Sequence, residues 1–292
     1  MRANDLEEVI VNLLRLAVTD LPSDVSEALE DALRKERNPT ARSQLESILE
    51  NVRLARQNSI PMCQDTGIQI FYISVGAEFS LLSDIPRILT NAVRRGTKSI
   101  PLRPNTVNPI LHKNPGDNTG LDIPWINWKI TDGSDLHITA FPKGGGSENV
   151  CKLGMLTPGQ GLDGMKKFII DSMIEAGAKP CPPTIVGIGI GGGADISMKL
   201  AKEQLLRPVG NRHPDSQVAQ MEGELKKALN ETGIGPMGLG GDTTVLDVHI
   251  GVAMRHPASF PVGLAVQCWA ARRASATITN EGVVEYTSHK VA

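Results

Sequence analysis

Aromatic side chains are scarce in this chain: Phe, Trp and Tyr make up 3% of its 292 residues. Its core must therefore be filled by aliphatic side chains, which the 40% hydrophobic content allows. No run of about twenty apolar residues occurs, the length a membrane-spanning helix needs. The first residues include Asp5, Glu7 and Glu8, where a secretory leader needs an apolar stretch. A surplus of one charge is missing too. The formal net charge of −2 lacks the basic excess of a nucleic-acid binder. Cysteines are few (Cys63, Cys151, Cys181 and Cys268), and no two form a CxxC pair, which argues against a zinc knuckle or a thioredoxin motif. These absences lead us to expect a cytoplasmic protein with reduced thiols and no membrane or nucleic-acid partner. Internal repeats, low-complexity segments and linkers are also absent.

What is present begins with helices. Leu6, Val9, Ile10, Leu13, Leu14 and Ala17 recur at three- and four-residue spacing, which predicts an amphipathic helix over 4–20. Ser23 opens a second helix to about Lys35, and Asn38-Pro39 stops it. Thr40 opens a third, with Leu45, Ile48, Leu49 and Val52 on one face. Further on, Ile68–Val75 reads as a strand ended by Gly76, and 83–95 as a helix. Trp125–Ile130 and Leu136–Ala140 read as a hairpin around Asp132-Gly133. Helices are expected over 160–177, Ala194–Leu206 and 216–231, with a strand from Thr184 and an apolar run over Val245–Ala253. Ala274–Ile278 and Val283–Tyr286 read as a closing hairpin. The expected fold is one α+β domain over 1–292. A helical lead-in, 1–60, walls a mixed, largely antiparallel sheet core, 61–292, with glycine-rich loops.

Chemistry gathers in a few stretches. Pro61-Met62-Cys63-Gln64-Asp65-Thr66-Gly67 puts a thiol, an amide, a carboxylate and a turn glycine in seven residues at the mouth of a strand. Arg103 stands between Pro101 and Pro104, a rigid mount suited to bidentate capture of a carboxylate, or simply a surface residue. Gly144-Gly145-Gly146 leaves N–H groups free to meet an oxyanion, or is a plain flexible loop. Cys181 lies between Pro180 and Pro182-Pro183, which restrict its backbone. Widely spaced cysteines are also common as small buried hydrophobes. Gly187, Gly189 and Gly192 spell GxGxxG, but partly inside a strand, and the acid expected about 20 residues on is replaced by loop. Cys151 has no rigid polar surroundings and reads as structural.

With these stretches in hand, the chain resembles the α subunits of the two-subunit iron–sulfur fumarate hydratases (class I fumarases), and is similar to the L-tartrate dehydratase α subunit. The likeness covers nearly the whole chain. Its carriers are Pro61–Gly67, Gly144-Gly145-Gly146-Ser147-Glu148-Asn149, Pro180–Pro183, Gly240-Gly241-Asp242-Thr243-Thr244, Arg255-His256-Pro257 and Cys268-Trp269-Ala270-Ala271-Arg272-Arg273.

That resemblance implies that Cys63, Cys181 and Cys268 ligate a 4Fe–4S cluster, while Cys151 does not. Three thiolates leave one iron open as a Lewis acid. The implied reaction is reversible hydration of fumarate to (S)-malate, with Asp65 as the acid–base group. Gln64, Arg103, Gly145, Gly146 and His256 are implied substrate contacts. The family's C-terminal domain is missing here, which implies a separate β subunit, in an α2β2 assembly, that completes the active site. The nearest alternative is an L-tartrate dehydratase α subunit, whose substrate differs by one hydroxyl. Other classes are an NAD-binding oxidoreductase resting on GxGxxG and a non-catalytic iron–sulfur protein.

Overall fold

The structure, a computed structural model, describes residues 1–289. In chain order its helices and strands begin with α1 (Ala3–Thr19), α2 (Ser23–Lys35), α3 (Pro39–Asn58), β1 (Ile68–Gly76) and α4 (Ile85–Ser99). Next come β2 (Trp125–Thr131), β3 (Leu136–Lys143), the one-turn α5 (Gly145–Glu148), β4 (Lys152–Leu156) and α6 (Gly161–Ala176). The remainder are β5 (Thr184–Gly192), α7 (Ala194–Gln204), α8 (Ser216–Glu231), β6 (Val245–Arg255), β7 (Phe260–Gln267), β8 (Ala274–Ile278) and β9 (Val284–Tyr286). Two compact units result. Among the described residues one contains 1–23, 50–145 and 272–289; the other contains 24–49 and 146–271.

The first unit is built on a five-stranded sheet in the order β2-β1-β3-β8-β9. Leu6, Ile10, Leu13, Leu14 and Ala17 of α1 are buried, as their spacing predicts. They share a core with Ile88, Leu89 and Val93 of α4 and with Phe71, Ile73 and Val75, which alternate along β1. The helices thus wall one face of the sheet.

One expectation is corrected here. Trp125–Ile130 and Leu136–Ala140 do not form a hairpin, because β1 lies between them. It pairs with β2 in parallel, Ile70 opposite Trp125, and with β3 antiparallel, Ile73 opposite Ile138. The Asp132-Gly133 segment instead wraps the end of β1. The N–H groups of Gly76, Ala77 and Glu78 donate to Asp135, Thr131 and Gly133 at 2.8, 2.8 and 2.9 Å. These bonds satisfy the strand end that a tight two-residue turn would leave open.

The second unit holds a four-stranded sheet in the order β4-β7-β5-β6. Its core unites Val186 and Ile188 of β5, Val248 and Ile250 of β6, Leu264 and Val266 of β7, and Met165, Ile169, Leu225 and Leu229 from α6 and α8. β4 and β7 were not anticipated. Phe260–Gln267 is buried at every position and so lacks the alternation of a half-exposed strand. β2-β1-β3-β8 and β6-β5-β7-β4 pair in the same senses, parallel, antiparallel, antiparallel. The two sheets thus echo each other in topology without a repeat in sequence. Counting β8 with β9, five of the seven pairings are antiparallel, the mixed α+β sheet core expected. Among the described residues no helix is long and apolar enough to cross a membrane.

Candidate active site

Strand register decides which residues meet at one end of the first sheet. Ile68 of β1 faces Lys143 of β3, and Ala140 of β3 faces Ala274 of β8. The start of β1, the end of β3 and the start of β8 therefore lie together. They carry Asp65, Gly144-Gly145 and Arg272. Gly67 makes the entry into β1 possible. Its φ is +79°, and a Cβ there would lie 2.7 Å from the Lys143 nitrogen.

Asp65 is held from several sides. Oδ1 accepts from the Gly67 N–H at 2.9 Å and from Asn105 Nδ2 at 3.2 Å, and Oδ2 accepts from the Gly145 N–H at 2.7 Å. Its main-chain carbonyl accepts from Nη1 of the buried Arg272. The glycine at 144 is required by this packing. A Cβ there would stand 2.9 Å from Arg272 Nη2 and 3.1 Å from Asp65 Oδ2. The Gly145 N–H thus faces a carboxylate of its own chain, whereas Gly146 is exposed.

The Arg103 mount is rigid for reasons beyond its prolines. Its carbonyl accepts from Thr66 Oγ1 at 3.2 Å and from Asn118 Nδ2 at 3.1 Å. Asn118, fully buried, also accepts from the Asn105 N–H at 2.7 Å. The loop is pinned beside the Asp65 turn while the Arg103 side chain is left exposed. Gln64 is exposed and Cys63 half-buried. Asn105 and Asn118 were missed by sequence reasoning. An asparagine in a loop carries no periodic signal, and only tertiary contact reveals these two.

In the second unit the same logic brings two thiols to one end. Ile185 at the start of β5 faces Gln267 at the end of β7, so Cys181 and Cys268 lie just beyond paired residues. The Trp269 N–H donates to the Cys181 carbonyl at 3.1 Å. Cys181 has φ +54°, a left-handed conformation that a non-glycine residue adopts only when its surroundings impose it. Cys63, Cys181 and Cys268 are half-buried and none is in a disulfide. Reachable soft donors of this kind suit an iron–sulfur cluster. Cys151 is likewise half-buried and in no disulfide; its Sγ donates to the Ser147 carbonyl, one turn back, at 3.7 Å, as the Cys268 Sγ does to the Ala270 carbonyl at 3.6 Å. Among the described residues no three His, Cys, Asp or Glu side chains form a group that could hold a single metal ion.

His256 is placed elsewhere in this unit. β6 runs parallel to β5, from Val245 opposite Thr184 to Arg255 opposite Gly192. His256 therefore lies at the end of the sheet away from Cys181 and Cys268, roughly 25 Å along the strands. Its exposed ring accepts the Ala258 N–H at Nδ1, 3.1 Å, so the neutral ring carries its hydrogen on Nε2.

Two other glycine motifs serve packing. Gly187 and Gly189 lie within β5 under α7, where a Cβ on either would run into the helix backbone. Gly241, at φ +133°, sits against Ala41 and Glu36, and Asp242 pairs with Arg37 at 2.7 Å. Sequence reasoning also missed a buried charge network on β6. Asp247 and Glu222, both fully buried, receive Arg212 and Arg207, and His249 meets Asp247 at 3.2 Å. Burial alone would raise the Asp247 pKa. Hydrogen bonds from His249 and the Gly210 N–H, the His249 charge and the Arg212 bond outweigh it, and hold the group well below the ordinary carboxylate range.

The first unit thus holds a carboxylate fixed in a cysteine-bearing turn, and the GxGxxG glycines of the second unit are packing devices. The sequence profile of the family described as Fumarate hydratase (Fumerase) matches residues 7–277. A protein of Methanocaldococcus jannaschii named "Putative L(+)-tartrate dehydratase subunit alpha" is 46% identical over 274 residues, covering 92% of this chain and 96% of that one. The L(+)-tartrate dehydratase subunit alpha of Escherichia coli strain UTI89 is 35% identical over 287 residues, covering 98% of this chain and 95% of the relative. The chain belongs to the fumarate hydratase (Fumerase) family, a family of hydro-lyases.

Proposed function

We propose that this chain is the α subunit of an iron–sulfur hydro-lyase that hydrates fumarate reversibly to (S)-malate. In this reading residues 1–292 work as one functional domain, in the cytoplasm, with a separate β subunit in an α2β2 assembly. The words "subunit alpha" in the relatives' names support a second chain. The observation that carries the reading is the anchored carboxylate of Asp65, two residues from Cys63.

Cys63, Cys181 and Cys268 would hold a 4Fe–4S cluster. Bound there, the cluster supplies a Lewis-acidic iron that polarises the substrate hydroxyl. Asp65 handles the proton. An ionised carboxylate offers about four acceptor sites. Three are filled by Gly67, Asn105 and Gly145, which fixes the group and leaves one direction for exchange with substrate. Gln64, exposed beside it, contacts substrate, and the Arg103 guanidinium takes a carboxylate in bidentate fashion. Gly146 offers its N–H, while Gly145 acts through the orientation it gives Asp65. His256 lies away from Cys181 and Cys268, so we assign it to the site of a neighbouring copy, where Nε2–H donates to a carboxylate.

The names of the relatives favour a second reading, dehydration of L(+)-tartrate. The two substrates differ by one hydroxyl, which polar groups of the pocket discriminate. The test is anaerobic purification with the partner chain, iron and sulfide analysis, and assays on fumarate, malate and tartrate. About four irons and four sulfides per chain with loss of fumarate absorbance supports the first reading. Turnover of tartrate alone selects the second. Absence of iron after anaerobic reconstitution overturns both.

A further inference from the structure

Arg272 heads the fully buried side chains by volume and is 1% exposed. Its Nη1 donates to the Asp65 carbonyl, and its Nη2 lies against Gly144. Among the described residues its Nε–H meets no acceptor, and no carboxylate pairs with its guanidinium. Asp65, the acid at hand, offers it a main-chain carbonyl and keeps its carboxylate for Gly67, Asn105 and Gly145. The Asp65 carboxylate is near, since one Cβ at 144 would meet both Arg272 Nη2 and Asp65 Oδ2, yet it forms no direct ion pair with the guanidinium, and a buried N–H without an acceptor is costly. The charge stands at the sheet end that carries Asp65 and the glycine triplet.

We propose that Arg272 is a positioning residue for the Asp65 turn, and that its guanidinium, hydrogen-bonded to the Asp65 peptide but in no direct ion pair, is completed by a carboxylate of the bound substrate. The assignment rests on the hydro-lyase reading and adds a group to it. Arg272 fixes the peptide that carries Asp65 and the approach of Gly144, and so sets the angle at which the Asp65 carboxylate meets the substrate. Its charge, in surroundings of low dielectric, favours an anion over water at the same place.

The experiment uses the assembled enzyme with its partner chain and compares Arg272→Met and Arg272→Lys with the parent. Five quantities are read: iron per chain, thermal midpoint, kcat, KM, and the Kd of succinate, a dicarboxylate that cannot be hydrated. For Arg272→Met we expect unchanged iron, an unchanged or raised midpoint, a succinate Kd weaker by about tenfold or more, and a lower kcat. For Arg272→Lys we expect succinate affinity within about threefold of the parent and a kcat that stays low, because an ammonium lacks the planar fork. Unaltered succinate affinity in Arg272→Met overturns the proposal. So does failure of that variant to assemble or hold iron, which would make Arg272 a structural residue. A parent enzyme that binds succinate but turns over no hydroxy acid sinks the hydro-lyase reading and leaves the succinate comparison to decide on Arg272.

Discussion

Gly145 and Asp65 are 80 residues apart in sequence and are joined by a 2.7 Å hydrogen bond from the Gly145 N–H to Asp65 Oδ2. The bond follows from register. Once Ile68 pairs with Lys143, the residues leading into β1 and those leaving β3 have no other place to go. The same end of the sheet receives Asn105 and Arg272, so the carboxylate is oriented before any substrate arrives. Preorganisation of this kind lowers the cost of reaching the reactive geometry.

Replacing Asp65 with Asn should leave iron content intact and lower turnover by about two to four orders of magnitude. The amide would also turn an NH2 toward the Gly67, Asn105 or Gly145 donors. Asn105→Ala should cost less, about tenfold in kcat, since two anchors remain. Steady-state kinetics on the assembled enzyme tests both, and near-normal turnover in Asp65→Asn would rule this residue out as the proton carrier.

The cysteines separate by iron content. Cys181→Ser should lose the cluster, whereas Cys151→Ser should keep it, because Cys151 lies outside the proposed ligand set of Cys63, Cys181 and Cys268. Equal iron in the two proteins would overturn the ligand set.

His256 gives a complementation test. Asp65→Asn and His256→Ala are each expected to be inactive alone. If His256 serves a neighbouring copy, a random two-fold mixture should regain up to about a quarter of parent activity, because half the pairs then hold one intact site. A mixture no more active than its parts returns His256 to its own turn.

The β6 network makes stability depend on acid. The Asp247 pKa is depressed in the folded protein, so its contribution is complete above the unfolded carboxylate value near pH 4 and is lost as pH falls toward the folded value. Removing the group leaves Arg212 with Glu222 at 3.7 Å and His249 with the Gln204 carbonyl at 3.1 Å, and should cost about 1–3 kcal/mol at neutral pH. Thermal midpoints between pH 7 and pH 3 check this: the parent should fall on the acid side, and Asp247→Asn should start lower and fall less.

Gly189→Ala should destabilise by about 1–3 kcal/mol, since the new Cβ would lie 2.7 Å from the Ala201 nitrogen and 2.8 Å from Leu200 Cβ. The glycine is a packing device, so neither protein should bind NADH. Chemical denaturation and a fluorescence titration measure the two effects.

By itself the sequence determined the helices, whose apolar spacing is local, and the identity of the chemical groups. Asp65 beside Cys63, Cys181 among prolines and the glycine triplet are legible as residues because their side-chain chemistry needs no partner to be recognised. Tertiary structure alone decided what those groups face. Pairing between strands far apart in sequence separated β2 from β3, drew Asn105 and Arg272 to Asp65, turned the Gly145 N–H onto that carboxylate, and carried His256 to the end of β6 away from Cys181. Hydrophobic periodicity reports which face of a strand is buried, but not which strand lies beside it. Partners across a sheet are chosen by register and crossover, and these emerge only when the whole sheet closes its hydrogen bonds.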